Sequence, residues 1–360
     1  MGGAAAESVA KSKGLHGWIL PAKFTALRTE RPVALVSYHM EKTGGSAVMK
    51  WLHKHAKEDA SPRLTSLFDY AHTFCFFGLY PDVFPGWSRH WEDRCAPGAQ
   101  PAGSRPPWQT SAVAVEFHAY TMRRFWDALV PQLPTLRAQY RALNGSFVTF
   151  TLVRQPVGHI LSTYRMWPPQ RRVGGEKHVW PLEQWLNVAA GLQAAILCVR
   201  IRNRTPFGYH NPAGCAAVRN ESRRRLADTF DVVGAMACMP AVLRGVAERL
   251  GWPHDHRAKE RMRTALDQSL HASRPSGVRA GGQLWREARD FSEYEGLNAT
   301  SRKALLAAAA CDQPIYEHAL LRTAAMLGPR AANAAGAKGS CVRRELGISA
   351  PSFVAGPSKT

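Results

Sequence analysis

The sequence predicts an α/β fold: a parallel β-sheet covered by helices on both faces. Two observations carry this. Short apolar runs rich in β-branched residues recur at Pro32–His39, Ser111–Phe117, Ser146–Val153 and Phe230–Met236, the pattern of strands buried on both sides. Stretches with helical spacing separate them, and strands alternating with helices define a parallel sheet closed by crossovers.

Taken in order, Pro32–His39 is the first strand, bounded by charge, and Gly44-Gly45 ends it. Ser46–Lys57 follows with Val48, Trp51, Leu52 and His55 on one side of a helix. Thr65–Phe77 is apolar and aromatic and fits either a strand or a helix. Pro81–Pro107 is rich in Pro, Gly and Trp and too long for a simple connection, so 81–110 reads as an inserted loop within a domain spanning 29–327. Ser111–Phe117 is the second strand and Thr121–Val130 a helix. Ser146–Val153 (SFVTFTLV) is the clearest strand, and Pro156 opens a helix to Met166. Leu182–Arg200 reads as one long apolar helix, Phe230–Met236 as a fourth strand, Pro240–Leu250 as a helix, and Ser301–Met326 as an alanine-rich helix. The composition of 1–28 and 328–360 is that of flexible termini.

Charge and cysteine narrow the setting. Lys and Arg number 47 against 27 Asp and Glu, a net charge of +20, which invites polyanions. Only 12 of the 47 are lysines and alanine is abundant, as GC-rich coding produces without selection for binding, so charge alone selects no partner. A hydrophobic fraction of 45% excludes a disordered or collagen-like chain. No apolar run reaches the ~18–20 residues of a membrane span, and Met1–Phe24 lacks the apolar stretch of a secretory signal. Seven widely spaced cysteines without a Cys-x-x-Cys pair argue against structural zinc. Being odd in number, they leave at least one thiol unpaired. Four of seven asparagines, Asn144, Asn203, Asn220 and Asn298, lie in Asn-x-Ser/Thr triplets, which favours the secretory lumen. With no entry signal legible, a cytoplasmic location stays open.

In parallel sheets ligands sit at the carboxyl ends of strands, which directs attention to two junctions. The first is His39-Met40-Glu41-Lys42-Thr43-Gly44-Gly45-Ser46, after strand one and opening a helix. Helix-start N–H groups favour an anion, two glycines permit close approach, and Lys42, Thr43 and Ser46 add a charge and hydroxyls. Lysine precedes the glycines, so this is not a Walker A loop. The second is Val153-Arg154-Gln155-Pro156, continuing to Ser162 and Tyr164. Arg154 closes a strand, its guanidinium fork matches phosphate oxygens, and Ser162 lies about two turns along the next helix.

With both junctions present, the chain resembles the PAPS-dependent sulfotransferases, most closely carbohydrate enzymes such as uronosyl 2-O- and heparan 6-O-sulfotransferases. Their strand-loop-helix carries a Lys-Thr-Gly-Gly-Thr-Ser pattern for the 5′-phosphosulfate, and a later Arg-Asp-Pro-x-x-Arg-x-x-Ser-x-Tyr pattern for the 3′-phosphate. The resemblance implies a P-loop-like, three-layer α/β/α fold of sulfotransferase type. It also implies PAPS as co-substrate with no metal, held by Lys42, Thr43, Gly44, Gly45 and Ser46 at the phosphosulfate and by Arg154 and Ser162 at the 3′-phosphate. It continues weakly through Trp185-Leu186…Gln193, Phe230–Gly234 and Asp312…Ile315-Tyr316. Gln155, His159 and Ala47 depart from the usual Asp, Arg and Ser. The implied activity is sulfuryl transfer to a glycan hydroxyl, in the Golgi lumen, with no nucleic-acid partner.

Such a transfer needs charge stabilisation at the leaving oxygen, assigned to Lys42, and a base for the acceptor hydroxyl. His118, closing strand two, is the first choice for the base. Glu116, two residues back on the same face, orients it or serves as base instead, and His39 is a third candidate with a structural role favoured. Trp87, Trp91 and Trp108 around the inserted loop suit either sugar platforms or a loop core. Arg171-Arg172 and Arg223-Arg224-Arg225 suit an anionic glycan or a solvated face. The alternatives are an arginine-rich polyanion-binding module and a P-loop nucleotide kinase.

Overall fold

The computed structural model describes residues 31–57, 64–69, 72–87, 95, 109, 112–118, 121–166, 170–173, 176–199, 214–252 and 294–334. The predicted runs form strands β1 (Val33–His39), β3 (Ala112–His118), β4 (Ser146–Val153) and β7 (Val232–Ala235). The ambiguous Thr65–Phe77 run resolves into both alternatives, strand β2 (Leu64–Phe68) and helix α2 (Thr73–Gly78). These five strands make one sheet in the order β2-β3-β1-β4-β7, with every pairing parallel. Strands β5 (Gln170–Val173) and β6 (Glu176–Val179) form a separate antiparallel pair.

The strand order positions the site. The chain leaves β1 through α1 (Gly45–Lys57) to the far strand β2, then works back through β3 and past β1 to β4 and β7. Right-handed crossovers running in opposite directions put their helices on opposite faces, so α1 covers one face and the later connections the other. Trp51 of α1 meets Trp252 at 5.4 Å between ring centroids. Helix α8 (Met239–Leu250), which precedes Trp252, therefore shares the α1 face and packs on β4 and β7. On the opposite face the period of two aligns Tyr38 and Phe117, and Phe125 packs against both. The carboxyl end of β1, where the connections diverge, is the switch point at which such sheets bind ligands.

Several elements differ from expectation. The Thr121–Val130 helix is wound as a π-helix over Arg124–Leu129, which buries the consecutive Phe125 and Trp126 and lets Trp126 Nε1 donate to the Tyr38 hydroxyl at 3.1 Å. Helix α3 (Leu133–Ala142), unassigned in the sequence, follows it, and α4 (Pro156–Met166) matches its expected bounds. The Leu182–Arg200 helix is two, α5 (Leu182–Ala189) and α6 (Leu192–Leu197), broken at Gly191 with φ +69°. Helix α7 (Gly214–Thr229) takes up the arginine run. The alanine-rich helix is also two, α9 (Ala299–Ala309) and α10 (Gln313–Ala334), so α10 continues beyond the expected end of the domain at 327. Residues 1–28 and most of the inserted loop, including Trp91 and Trp108, lie outside the described residues. Trp87 is half-buried against the core, 4.7 Å from the Phe77 ring with the Arg124 guanidinium 5.6 Å from its face. No helix among the described residues is long and apolar enough to cross a membrane.

Cys75 bonds Cys95 and Cys215 bonds Cys311; Cys238 is also disulfide-bonded, and Cys198 is a buried thiol that donates to the Val218 carbonyl at 3.4 Å. The Cys215–Cys311 bridge closes a sequence separation of 96 against 20 for Cys75–Cys95. Chain entropy makes the longer closure worth about 4–5 kcal/mol, and about 1 kcal/mol more than the shorter. Replacing Cys215 and Cys311 together by alanine is expected to cost the larger amount in urea unfolding. An equal or smaller loss than for the Cys75/Cys95 pair would contradict this.

Candidate functional site

The first junction turns where β1 ends. Lys42 adopts φ +63° and Gly44 φ +98°, so the loop holds two left-handed residues in three, one of them a lysine at a cost of order 1 kcal/mol. A Cβ on Gly45 would stand 1.9 Å from the His39 ring and one on Gly44 2.2 Å from the Met239 side chain. Glycine is thus required by close approach at Gly45 and by φ at Gly44, where the Met239 methyl can move aside. Gly45 starts α1, and its N–H donates to His39 Nε2 at 3.1 Å. Thr43 is 1% exposed, and its hydroxyl donates to the Met40 carbonyl at 2.6 Å. It closes the loop rather than presenting a donor outward, unlike the expectation for it. Ser46 is exposed on the first turn and Lys42 is half-buried.

Two histidines and two glutamates cross between β1 and β3. Parallel register sets His39 beside His118 and Ser37 beside Glu116, with the imidazole centroids 4.8 Å apart. His39 Nδ1 lies 2.8 Å from Glu116 Oε1. Because Nε2 of that ring accepts from Gly45, the neutral ring carries its proton on Nδ1, the nitrogen beside the carboxylate. His118 Nδ1 lies 3.5 Å from Glu41 Oε1, a carboxylate buried to 2% exposure. Glu116, expected to orient His118 or to act as base, stands beside His39, and Glu41 takes the place beside His118. Residues i and i+2 on one strand are about 6.6 Å apart, whereas neighbouring strands lie about 4.8 Å apart, so the closer partners come from across the sheet. Glu41 carries a role that sequence reasoning missed, although it stands inside the quoted motif.

The second junction joins the first directly. Tyr38 of β1 is in register with Thr151 of β4, and the Arg154 guanidinium donates to the Lys42 carbonyl at 3.0 Å. Arg154 is fixed from behind: its N–H donates to Gln193 Oε1, and Gln193 Nε2 donates to its carbonyl, both at 2.9 Å. Gln193 is fully buried, and its N–H, with that of Ala194, donates to the Asp312 carboxylate at 3.0 and 2.9 Å. Gln155 caps α4 by accepting from the Gly158 N–H at 2.7 Å, which supplies the acceptor expected of the usual Asp. His159 is fully buried and its Nε2 donates to the Glu41 carbonyl at 2.9 Å. Where the related pattern has an arginine, this chain thus has a neutral tie between α4 and the loop. Half-buried Ser162 sits about 9 Å along α4 from Pro156 and takes no part in these links. Arg171 and Arg172 fall in β5, outside the main sheet.

The chain matches no family model, no curated protein and no solved structure.

Two buried groups give the site a pH signature. Burial pushes His159 down to about 3, the positive Arg154 and Lys42 adding to it against the hydrogen bond to Glu41. Burial pushes Asp312 up to about 7 against the N–H donors of Ala194, Gln193 and Leu192. Relative to ordinary values of 6.5 and 3.8, the folded chain loses stability through His159 as pH falls below about 6.5. It loses stability through Asp312 as pH rises from about 4 toward 7. Between about pH 4 and 6.5 the two trends oppose each other, each up to about 1.4 kcal/mol per pH unit. Relative to the parent chain, Asp312→Asn is therefore expected to gain stability with rising pH in this window, and His159→Gln to lose it, in urea unfolding. Parallel curves for parent and variants would contradict the assignment.

Proposed function

We propose that the chain is a transferase that moves the sulfuryl group of PAPS to a hydroxyl of a carbohydrate. The observation that carries this reading is the Arg154 guanidinium on the Lys42 carbonyl, which sets two cationic strand ends side by side at the switch point of a parallel sheet. A nucleotide bearing two separated anionic groups fits such a pair. The forked donors of a guanidinium match the oxygens of a phosphate.

In this reading the phosphosulfate lies on the loop from Lys42 to Ser46 and the 3′-phosphate on Arg154, with Ser162 beyond it. Lys42 neutralises charge on the bridging oxygen. The acceptor oxygen attacks sulfur in line, forming a new O–S bond as the bond from sulfur to the bridging oxygen breaks. The released electron pair stays on the nucleotide phosphate, and the acceptor's proton passes to His118, backed by Glu41. His39 and Glu116 do not act as the base here; they hold the N–H of Gly45 in place. The disulfides among Cys75, Cys95, Cys215, Cys311 and Cys238 support an oxidising compartment such as the Golgi lumen.

Adenosine 3′,5′-bisphosphate is expected to raise the melting temperature, ATP to do so less, and Arg154→Ala to abolish the shift. Sulfate transfer from labelled PAPS to a polysaccharide panel should fall about 10²–10⁴-fold in His118→Ala with the bisphosphate shift retained. Glu41→Gln should lower kcat about tenfold with KM little changed. No shift with the bisphosphate and no transfer to any acceptor would sink the reading.

A further inference from the structure

Helices α7 and α10 start together, tied by Cys215–Cys311, and a groove lies between them away from the nucleotide site. It is open to solvent, holds about 290 Å³ and is lined by Asn220, Arg223, Arg224, Ala227 and His318. The three consecutive arginines of α7 divide in function. Arg225 turns inward, donating to the Leu197 carbonyl at 2.9 Å, pairing with Glu221 at 2.7 Å and lying 4.5 Å from the centre of the Trp126 ring. Arg223 and Arg224 stay exposed on the groove wall, and Asp228, 3.8 Å from Arg224, is itself 62% exposed, a pair worth little in water. On the α10 side His318 Nε2 is buried and has no hydrogen-bond partner among the described residues. Burial, together with Arg322 and Arg223, holds that imidazole below its usual range, so the groove lies in a positive field.

We propose that this groove binds an anionic group, sulfate or carboxylate, carried on a polysaccharide, and so serves as a second docking point for the acceptor chain. Two exposed guanidiniums supply forked donors for such oxygens, and His318 lines the facing side of the groove. A polysaccharide fits better than a nucleic acid on two grounds. The disulfides set the chain apart from nucleic-acid compartments, and the lining holds no Phe, Tyr or Trp on which bases stack. The position also suits an acceptor: Asp312, which anchors Gln193 and through it Arg154, opens α10 about 9 Å of helix rise from His318. The inference rests on the transferase reading only in naming the ligand as an acceptor.

The test uses a heparin-derived hexasaccharide and its desulfated counterpart, with binding measured at several salt concentrations. An Asn220→Gln background removes the Asn220-Glu221-Ser222 triplet, so no attached glycan can fill the groove. Arg223→Glu with Arg224→Glu is expected to weaken hexasaccharide binding at least about tenfold and flatten its salt dependence. Arg244→Glu with Arg249→Glu, at exposed positions of α8, changes net charge equally and should weaken it far less. Equal losses in both double variants, or none in either, would overturn the groove. Equal binding of a single-stranded oligonucleotide through Arg223 and Arg224 would overturn its assignment to polysaccharide. The bisphosphate melting shift, unchanged by Arg223→Glu with Arg224→Glu, keeps the two proposals separate. A normal shift with no hexasaccharide binding defeats the groove alone; hexasaccharide binding without any shift defeats the nucleotide reading alone.

Discussion

The contact on which the site depends is the Arg154 guanidinium donating to the Lys42 carbonyl. It reaches from the end of β4 to the loop after β1 and holds that carbonyl in a turn whose lysine is left-handed. A residue so strained persists only where its surroundings over-determine it. Here they do: Arg154 is clasped front and back by Gln193, Gln193 hangs from Asp312, and His159 ties the next helix to the Glu41 carbonyl. The loop is braced from four elements that are distant in sequence.

That bracing explains what the sequence conveyed and what it withheld. The central strands were legible because burial on both faces demands unbroken apolar runs, as in Ser146–Val153, and local chemistry marked α4 through Pro156. Helix breaks were not legible, because their causes are far away. Gly191 interrupts an apolar stretch that local spacing reads as continuous, and the carboxylate that receives the N–H groups beyond the break belongs to Asp312, more than a hundred residues on. The turn between α9 and α10 falls at Cys311 and Asp312, where a disulfide and that same carboxylate take over from helix propensity. Helix α7 escaped notice because its charged face dominates; Val218, Ser222 and Leu226 alone mark its buried side in the middle turns.

The candidate site was legible as a set of positions but not as a set of partnerships. Lys42, Arg154, His39 and His118 stand at the strand ends where the pattern put them. Which carboxylate serves which imidazole follows from parallel register, and register is a property of two strands 70 or more residues apart in the chain, not of either one. Glu41 gained its role from that geometry and Glu116 exchanged His118 for His39. The charge of +20 likewise divides once the structure is known. Lys42 and Arg154 belong to the nucleotide reading, Arg137 and Arg225 are spent on structural contacts, and Arg223 and Arg224 remain exposed.

The central claim is that the ends of β1 and β4 form a single receptor for a nucleotide with two separated anionic groups. A crystal structure with adenosine 3′,5′-bisphosphate tests it most directly. The 5′-phosphate is expected against the backbone of Thr43 to Ser46 and the Lys42 ammonium, with the 3′-phosphate on the Arg154 guanidinium while the bond to the Lys42 carbonyl persists. A nucleotide bound elsewhere on the chain, or a 3′-phosphate that leaves Arg154 untouched, would contradict it.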